Sequence, residues 1–320
     1  MKKPIDILKD DFIRKHKISV IMGIYNCEDT LEESVKSITE QTYYNWELIM
    51  CDDGSTDSTL KIAREMEHQC PKQIKVIQNK KNMGLNYTLN RCLKESTGEY
   101  IARMDADDIS ELYRMEHQKK YLEENDFDLI GGISQMIDED GNTIYSIKKV
   151  PTNFKKIKKC IKYNQVISHP TWFGKKEVFD KLNGYRNMPL CEDYDFTLRA
   201  ILQGFKISNV NECVLKYRMT KDSISRSNLF EQYLFARYIT KQYSEGKVSE
   251  VEEAKVYVKK NLSDKNAKHY LKGNERFNNA LNNLEEKQYI QFIANGIALL
   301  FTSKYYLDKI FRFVMVYLNS

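Results

Sequence analysis

At 320 residues the chain is long enough for one large domain and an accessory piece, and a composition of 42% apolar and 30% charged residues reads as soluble and globular. A net charge of only +5 makes no demand for nucleic acid. Seven scattered cysteines, with no CxxC pair, favour free thiols in a reducing cytosol over a disulfide framework or a zinc site.

In chain order, Met1 to Lys17 is polar and lacks the apolar core of a signal peptide. Ile18 to Tyr25 is an apolar, β-rich run and predicts a first strand. Thr30 to Gln41 has helical spacing at Leu31, Val35 and Ile38, with Glu33 placed to complete a capping box with Thr30. Trp46 to Cys51 predicts a second strand, closed by Asp52-Asp53-Gly54-Ser55. Ser58 to His68 reads as a helix, Ile74 to Gln78 as a third strand and Leu85 to Glu95 as a second long helix. The strand opening at Tyr100 ends in Asp105-Ala106-Asp107-Asp108, three carboxylates within four residues.

Beyond it, Asp126 to Gly131 predicts a strand and Ser134 to Tyr145 a hairpin turning at Asp138-Glu139-Asp140-Gly141, which lacks the ligand spacing of a Ca²⁺ loop. Phe196 to Leu202, Phe230 to Tyr243 and Val248 to Leu262 read as helical, and the region from 227 to 320 carries no chemical motif. In the tail, Tyr289 to Phe301 is too short to span a bilayer and holds Gln291 and Asn295. Tyr305 to Leu318 is interrupted by Asp308, Lys309 and Arg312, a composition that suits either a helix lying on a membrane surface or one packed on the protein's own core or a partner.

Strands alternating with helices of this length imply a mostly parallel sheet with right-handed crossovers. Asp52-Asp53 and Asp105-Asp107 then follow strands at the same carboxyl edge, where open α/β sheets bind ligands. Like charges packed there repel one another, and Mg²⁺ or Mn²⁺, which prefer oxygen ligands, would remove the conflict. The alternative for the acidic turn is a solvated cap on the next helix through Asp108 or Ser110, and for Asp52-Asp53 an Asp-Gly turn bonded to its own backbone.

Val20-Ile21-Met22-Gly23-Ile24-Tyr25-Asn26, Gln41-Thr42-Tyr43, Asp52-Asp53-Gly54-Ser55-Thr56-Asp57, Asn82-Met83-Gly84-Leu85 and Asp105-Ala106-Asp107-Asp108 follow one another in order. His169-Pro170-Thr171, Gly184-Tyr185-Arg186, Glu192-Asp193-Tyr194-Asp195, Tyr217-Arg218 and Ser223 continue the series. Together they resemble the family 2 glycosyltransferases, inverting enzymes of the GT-A fold. The resemblance, which covers about residues 17–226, implies an α/β, Rossmann-like, mostly parallel mixed sheet flanked by helices over 1–226; the helical C-terminal region over 227–320, which matches no motif, is read as shaping the acceptor site or as a membrane-surface or oligomer contact. It implies a nucleotide-diphosphate sugar donor, UDP before others, and a hexosyl or N-acetylhexosaminyl group passed to a glycan or lipid-linked oligosaccharide in surface-polysaccharide synthesis. The setting would be the cytoplasm, peripheral on the inner face of the membrane.

By the same resemblance Gly23, Tyr25, Asp52, Asp53, Asp105, His169 and Arg218 line the donor site. Asp53 accepts a hydrogen bond from the base while Asp52 orients the loop. Asp107 and Asp105 hold Mn²⁺ or Mg²⁺, with Asp105 alternatively on the ribose or a metal-bound water. Asp193 is the base that takes the acceptor's proton, with Glu192 orienting it; helix capping is the other reading of that pair. Arg218 alternatively ties a loop to the sheet, His169 is alternatively a hydrogen-bonded loop residue, and Trp172, a candidate to stack on a sugar ring, alternatively belongs to the core. Thr220 stands where relatives carry a His, leaving a third metal ligand open, and Met219 to Arg226 reads as a lid. A dehalogenase-type phosphatase competes on the Asp-x-Asp alone but would leave Asp52-Asp53 without a role. A non-catalytic nucleotide-sugar binder competes on Thr220.

Overall fold

The computed structural model describes residues 16–147, 149–220, 228–299 and 302–320. They form two compact units, the first of 1–157, 166–187 and 199–220, the second of 158–165, 188–198 and 221–320. Short segments before and within the helix at 192–202 belong with the C-terminal helices.

The first unit is built on a mixed sheet. Its strands are β1 (Ile18–Ile24), β2 (Trp46–Asp52), β3 (Ile74–Gln78), β4 (Tyr100–Arg103), β5 (Ile109–Ser110), β6 (Leu129–Ile137), β7 (Thr143–Ser146), β8 (Phe173–Lys175) and β9 (Ile207–Arg218). They lie in the order β3-β2-β1-β4-β8-β6-β9-β5, with β7 on β6. The first four strands are mutually parallel, β8 runs antiparallel between β4 and β6, and β6 and β9 are parallel. A strand covered on both faces reads as a continuous apolar run, and Ile18, Val20, Ile21 and Met22 are fully buried. The register pairs Ile24 with Asp52 and Asp52 with Gln78, and Ile21 with Arg103, so β1, β2 and β4 end on the same edge. Strand order reverses between β1 and β4, the place where such sheets open a crevice.

The helices α1 (Leu31–Thr39), α2 (Thr59–Gln69), α3 (Leu85–Glu95) and α4 (Arg114–Glu124) fall where periodicity predicts or follow the acidic strand end. The capping box does not form: Thr30 makes no side-chain cap bond, because its hydroxyl reaches the Ala106 carbonyl at 3.0 Å and Glu33 reaches Arg218. The hairpin turn at 138–142 does form, closed by the Asp138 carboxylate on the backbone N–H groups of Asp140 and Asn142. The expected strand at Asp126 begins instead at Leu129, since Asp126 adopts φ 52° and turns the chain out of α4. Short helices α5 (Phe154–Cys160) and α6 (Lys176–Lys181) follow.

Helix α7 (Glu192–Leu202) starts four residues earlier than its apolar periodicity suggests, taking in Glu192, Asp193 and Asp195 as an acidic first turn. Negative charge there is favoured by the unpaired N–H groups of the helix start. The second unit also holds α8 (Leu229–Ser244), α9 (Val251–Asn261), α10 (Asp264–Glu285), α11 (Tyr289–Leu299) and α12 (Lys304–Asn319). Its core is aromatic: Phe230, Tyr233, Tyr270, Tyr305 and Tyr306 pack with ring centroids 5.1–6.3 Å apart. Among the described residues no helix is long and apolar enough to cross a membrane. The expected lid lies, from 221 onward, outside the described residues.

Candidate active site

At the carboxyl edge of β2 the two adjacent aspartates divide their labour. Asp52 is fully buried and folds its carboxylate back onto the N–H groups of Gly54 and Ser55, at 3.2–3.4 Å. It closes the turn, so the structure places this residue as a loop anchor rather than on the donor surface. Gly54 is required there, with φ +77° and a Cβ position only 2.8 Å from the Lys81 backbone. Asp53 accepts from Asn79 Nδ2 at 2.7 Å and the Met83 N–H at 2.8 Å on one oxygen, and from the Gly84 N–H at 2.8 Å on the other. A carboxylate oxygen has two acceptor positions, which leaves one open on Oδ2. Asn79, unnoticed in sequence, is the partner that fixes this carboxylate. Tyr25 stands half-exposed at the end of β1, where Asn26 bonds to Ser55 and Thr56 and ties the two loops together. Gly23 packs against α3 instead of opening onto the edge, since a Cβ there would stand 3.2 Å from Thr88.

The second half of the edge is the acidic segment after β4. Asp105, Asp107 and Asp108 each bring a carboxylate oxygen within 4.8 Å of the others, a spacing that fits one divalent ion. Arg103, fully buried at the strand end, takes Asp105 in a two-pronged grip, Nη1 to Oδ2 at 2.6 Å and Nη2 to Oδ1. Asp107 keeps a carboxyl pushed up to about 6, first by burial and then by the charge of Asp105. Asp108, fully buried, is also pushed well up, by burial first and then by the charges of Asp105 and Asp107. Its Oδ1 accepts the Arg218 N–H at 3.0 Å, and its Oδ2 has no hydrogen-bond partner among the described residues. An orphaned buried oxygen beside a carboxyl raised by its neighbours is what a removed cation would leave. The residues present fit Mn²⁺ or Mg²⁺, with Asp107 as the least committed ligand.

Two devices hold this segment. Thr30, Ser34, Ser37 and Gln41 recur along one side of α1 and just beyond it. Ser34 shares its hydroxyl proton between the carbonyls of Ala106 and Asp108 at 2.8 and 2.7 Å. Ser37 accepts the Ser110 N–H at 3.0 Å, and Gln41 donates to the Glu111 carbonyl at 2.7 Å. The second device is Arg218, whose guanidinium donates to the carbonyls of Asp107, Asp138 and Glu139 and to Glu33 at 2.5–3.2 Å. Those contacts tie the acidic loop to the hairpin and α1, the alternative role read from sequence. Sequence reasoning passed over Arg103 and the α1 stripe. The available signals were a lone cation inside the apolar run Tyr100-Ile101-Ala102-Arg103-Met104, and hydroxyl residues at helical spacing.

His169, expected on the donor, is a core residue. It is 8% exposed, bonded to Tyr185 Oη at 2.8 Å and set edge-on to the fully buried Trp172. Burial, with the charge of Arg103, holds its imidazole well below the ordinary value, so it is neutral. In the second unit, Glu192 and Asp193 are half-buried at the start of α7. Asp193 Oδ1 accepts the Tyr194 N–H at 2.7 Å, and Gln165 Nε2 stands 3.5 Å from Oδ2 while donating to Thr197 at 3.0 Å.

A mixed, mostly parallel sheet flanked by helices, with an aspartate cluster at its carboxyl edge that could hold a metal ion, is the GT-A fold. Residues 19–182 match the profile of glycosyl transferase family 2, and the chain belongs to that family. EpsE of Bacillus subtilis is 40% identical over 218 residues, 66% of this chain and 76% of its own length. The UDP-Glc:alpha-D-GlcNAc-diphosphoundecaprenol beta-1,3-glucosyltransferase WfgD of Escherichia coli is 31% identical over 70% of this chain and 83% of its own. Among solved structures, S. aureus TarS 1–349 in complex with UDP-GlcNAc aligns with TM-score 0.58 and 21% identity, covering 76% of this chain and 70% of that one. The mannosyltransferase PcManGT of Pyrobaculum calidifontis, in complex with GDP-Man and Mn²⁺, aligns with TM-score 0.57 and 18% identity, over 75% of this chain and 69% of that one. The phosphatase and non-catalytic readings fall with this membership.

Proposed function

We propose that this glycosyltransferase inverts the anomeric carbon of a UDP-linked hexose or N-acetylhexosamine as it passes the sugar to a hydroxyl of a glycan or lipid-linked oligosaccharide. The observation that carries the reading is the pairing, on one sheet edge, of an imide-selecting acceptor with an acidic cluster in need of a cation. Asp53 offers its remaining acceptor position to the N–H of uracil, and Tyr25 covers a face of the base. Asp107, with Asp105 held by Arg103, would hold Mn²⁺ or Mg²⁺ on the donor diphosphate. A bound ion supplies positive charge against the negative charge that grows on the departing nucleoside diphosphate.

Asp193 accepts the proton of the attacking hydroxyl, and Glu192 orients it. The half-exposed position of Asp193 and Glu192 side by side in the first turn of α7 supports this assignment, because a general base must be within reach of the acceptor hydroxyl. WfgD, whose name carries a diphosphoundecaprenol acceptor, supports a lipid-linked acceptor and hence work at the inner face of a membrane in polysaccharide assembly.

Titration with UDP, with and without Mn²⁺, tests the site. Affinity should rise with the metal, and Asp107→Ala should abolish that rise. Equal binding in both conditions removes the metal assignment. Asp193→Asn should bind UDP and Mn²⁺ normally yet lose transfer by about 10²–10⁴-fold, with Glu192→Gln milder. Normal transfer by Asp193→Asn removes it as the base.

A further inference from the structure

Helix α12 is amphipathic with its faces reversed. Three of its four charged residues, Asp308, Lys309 and Arg312, turn to protein partners within the second unit, while Lys304 at its start is exposed. Asp308 accepts from Tyr233 Oη at 2.6 Å and Arg312 Nε at 2.8 Å. Lys309 lies over the rings of Tyr270 and Tyr306 at 5.4 and 5.3 Å and donates to Asn274 at 3.1 Å. Arg312 also reaches Thr240 at 3.1 Å. The opposite side shows Phe311, Phe313, Val314, Tyr317 and Leu318, with Tyr317 and Leu318 76% and 71% exposed. Helix α11 adds Ile290, Ile293 and Ile297 at helical spacing, all more than half exposed, and carries no charged residue. A water-facing helix places these groups the other way round.

The flank of α12 is cationic. Cys160 Sγ meets the Val316 carbonyl at 3.8 Å, and Tyr163 packs edge-on against Phe311 with centroids 6.1 Å apart. These contacts set the segment 158–163 beside the helix, with Lys158, Lys159 and Lys162 exposed and no acidic residue between them. We propose that the outward face of α12, bordered by Lys158, Lys159 and Lys162, is a docking surface for an anionic lipid bilayer. The helix lies in the headgroup layer while the lysines pair with lipid phosphates. Positive charge beside the exposed apolar stripe selects lipid over a second copy of the chain, whose own lysines would meet these. The inference deepens the reading of a membrane-bound acceptor and names the surface that would bring the enzyme to it.

Flotation of the full-length protein with vesicles of phosphatidylcholine alone, or mixed with phosphatidylglycerol, tests it without any donor or acceptor. The wild type should float with the mixed vesicles and fall off as salt rises. Tyr317→Ser with Leu318→Ser should reduce partitioning by at least about tenfold. Replacing Lys158, Lys159 and Lys162 by Gln should reduce it by about fivefold per lysine, on the anionic vesicles only. Circular dichroism and UDP titration of each variant report that fold and donor site are intact, so a failure of the donor reading shows up separately. Failure of the folded wild type to float, or a dimer in light scattering that Leu318→Ser dissolves, overturns the proposal.

Discussion

Adjacent aspartates of one motif receive opposite environments. Asp53 and Asp52 are neighbours in sequence, yet Asp52 bonds the N–H groups of its own turn while Asp53 bonds Asn79, Met83 and Gly84, some thirty residues away. In the acidic segment, Arg103 compensates Asp105, while Asp107 keeps a carboxyl at about 6. Its sign sets a testable pH dependence. Raised above the unfolded value of about 3.9, it holds a proton that the unfolded chain has released, so its contribution to stability is lost as pH rises through about 6. A divalent cation needs the deprotonated form. The rise in melting temperature given by MnCl₂ should therefore be small near about pH 5 and larger near about pH 7.5. An equal rise at both values, or an unchanged rise in Asp107→Ala, places the ion elsewhere. His169 acts in the opposite sense: its imidazole, held below the ordinary value, gives stability present above about 6.5 and lost as pH falls. That component should persist in Asp107→Ala.

Helix α1 is an element with two sides and two tasks. Leu31, Val35 and Ile38 bury one side in the core, while Thr30, Ser34 and Ser37 face the loop that carries the carboxylates. Carbonyls aimed at a cluster of negative charge would add to its repulsion, and hydroxyl donors turn them away. Ser34→Ala removes the side-chain donor from the Asp108 carbonyl and leaves the Ala106 carbonyl with Thr30 alone, and should lower stability by about 1–2 kcal/mol. Mn²⁺ affinity should fall by about tenfold, as for other residues that orient metal ligands, with metal-free UDP binding unchanged. Calorimetric titration separates the two effects. Retention of full Mn²⁺ affinity would reduce α1 to a packing element.

At the scale of the molecule, the chain falls into two compact units. Every described partner of Asp53, Asp105 and Asp107 lies in the first. The second is held by stacked aromatic side chains, with Tyr270 only 1% exposed and touching Phe230, Tyr233 and Tyr306. Tyr270→Ala should cost about 3–5 kcal/mol there. A thermal scan should show an early transition, while UDP and Mn²⁺ still bind to the first unit. Loss of UDP binding along with the early transition would mean that the donor site depends on the aromatic core.

The alternation of apolar runs with helical periods in residues 18–110, and the carboxylates that follow two of those strands, were legible in the chain itself. Local spacing dictates those elements, and parallel strands bring their ends to one edge whatever the detail. What the linear order could not reveal was which polar side chains the fold would consume. Thr30 and Glu33 looked like a cap and bind the acidic loop and Arg218 instead; His169 looked like a ligand and fills the core; Arg218 looked like a diphosphate contact and ties three carbonyls. Each outcome rests on a partner roughly fifteen to nearly two hundred residues away. The direction of α12 was undecided for the same reason. Its composition suits a core or a surface, and only the partners of Asp308, Lys309 and Arg312 turn the apolar side outward.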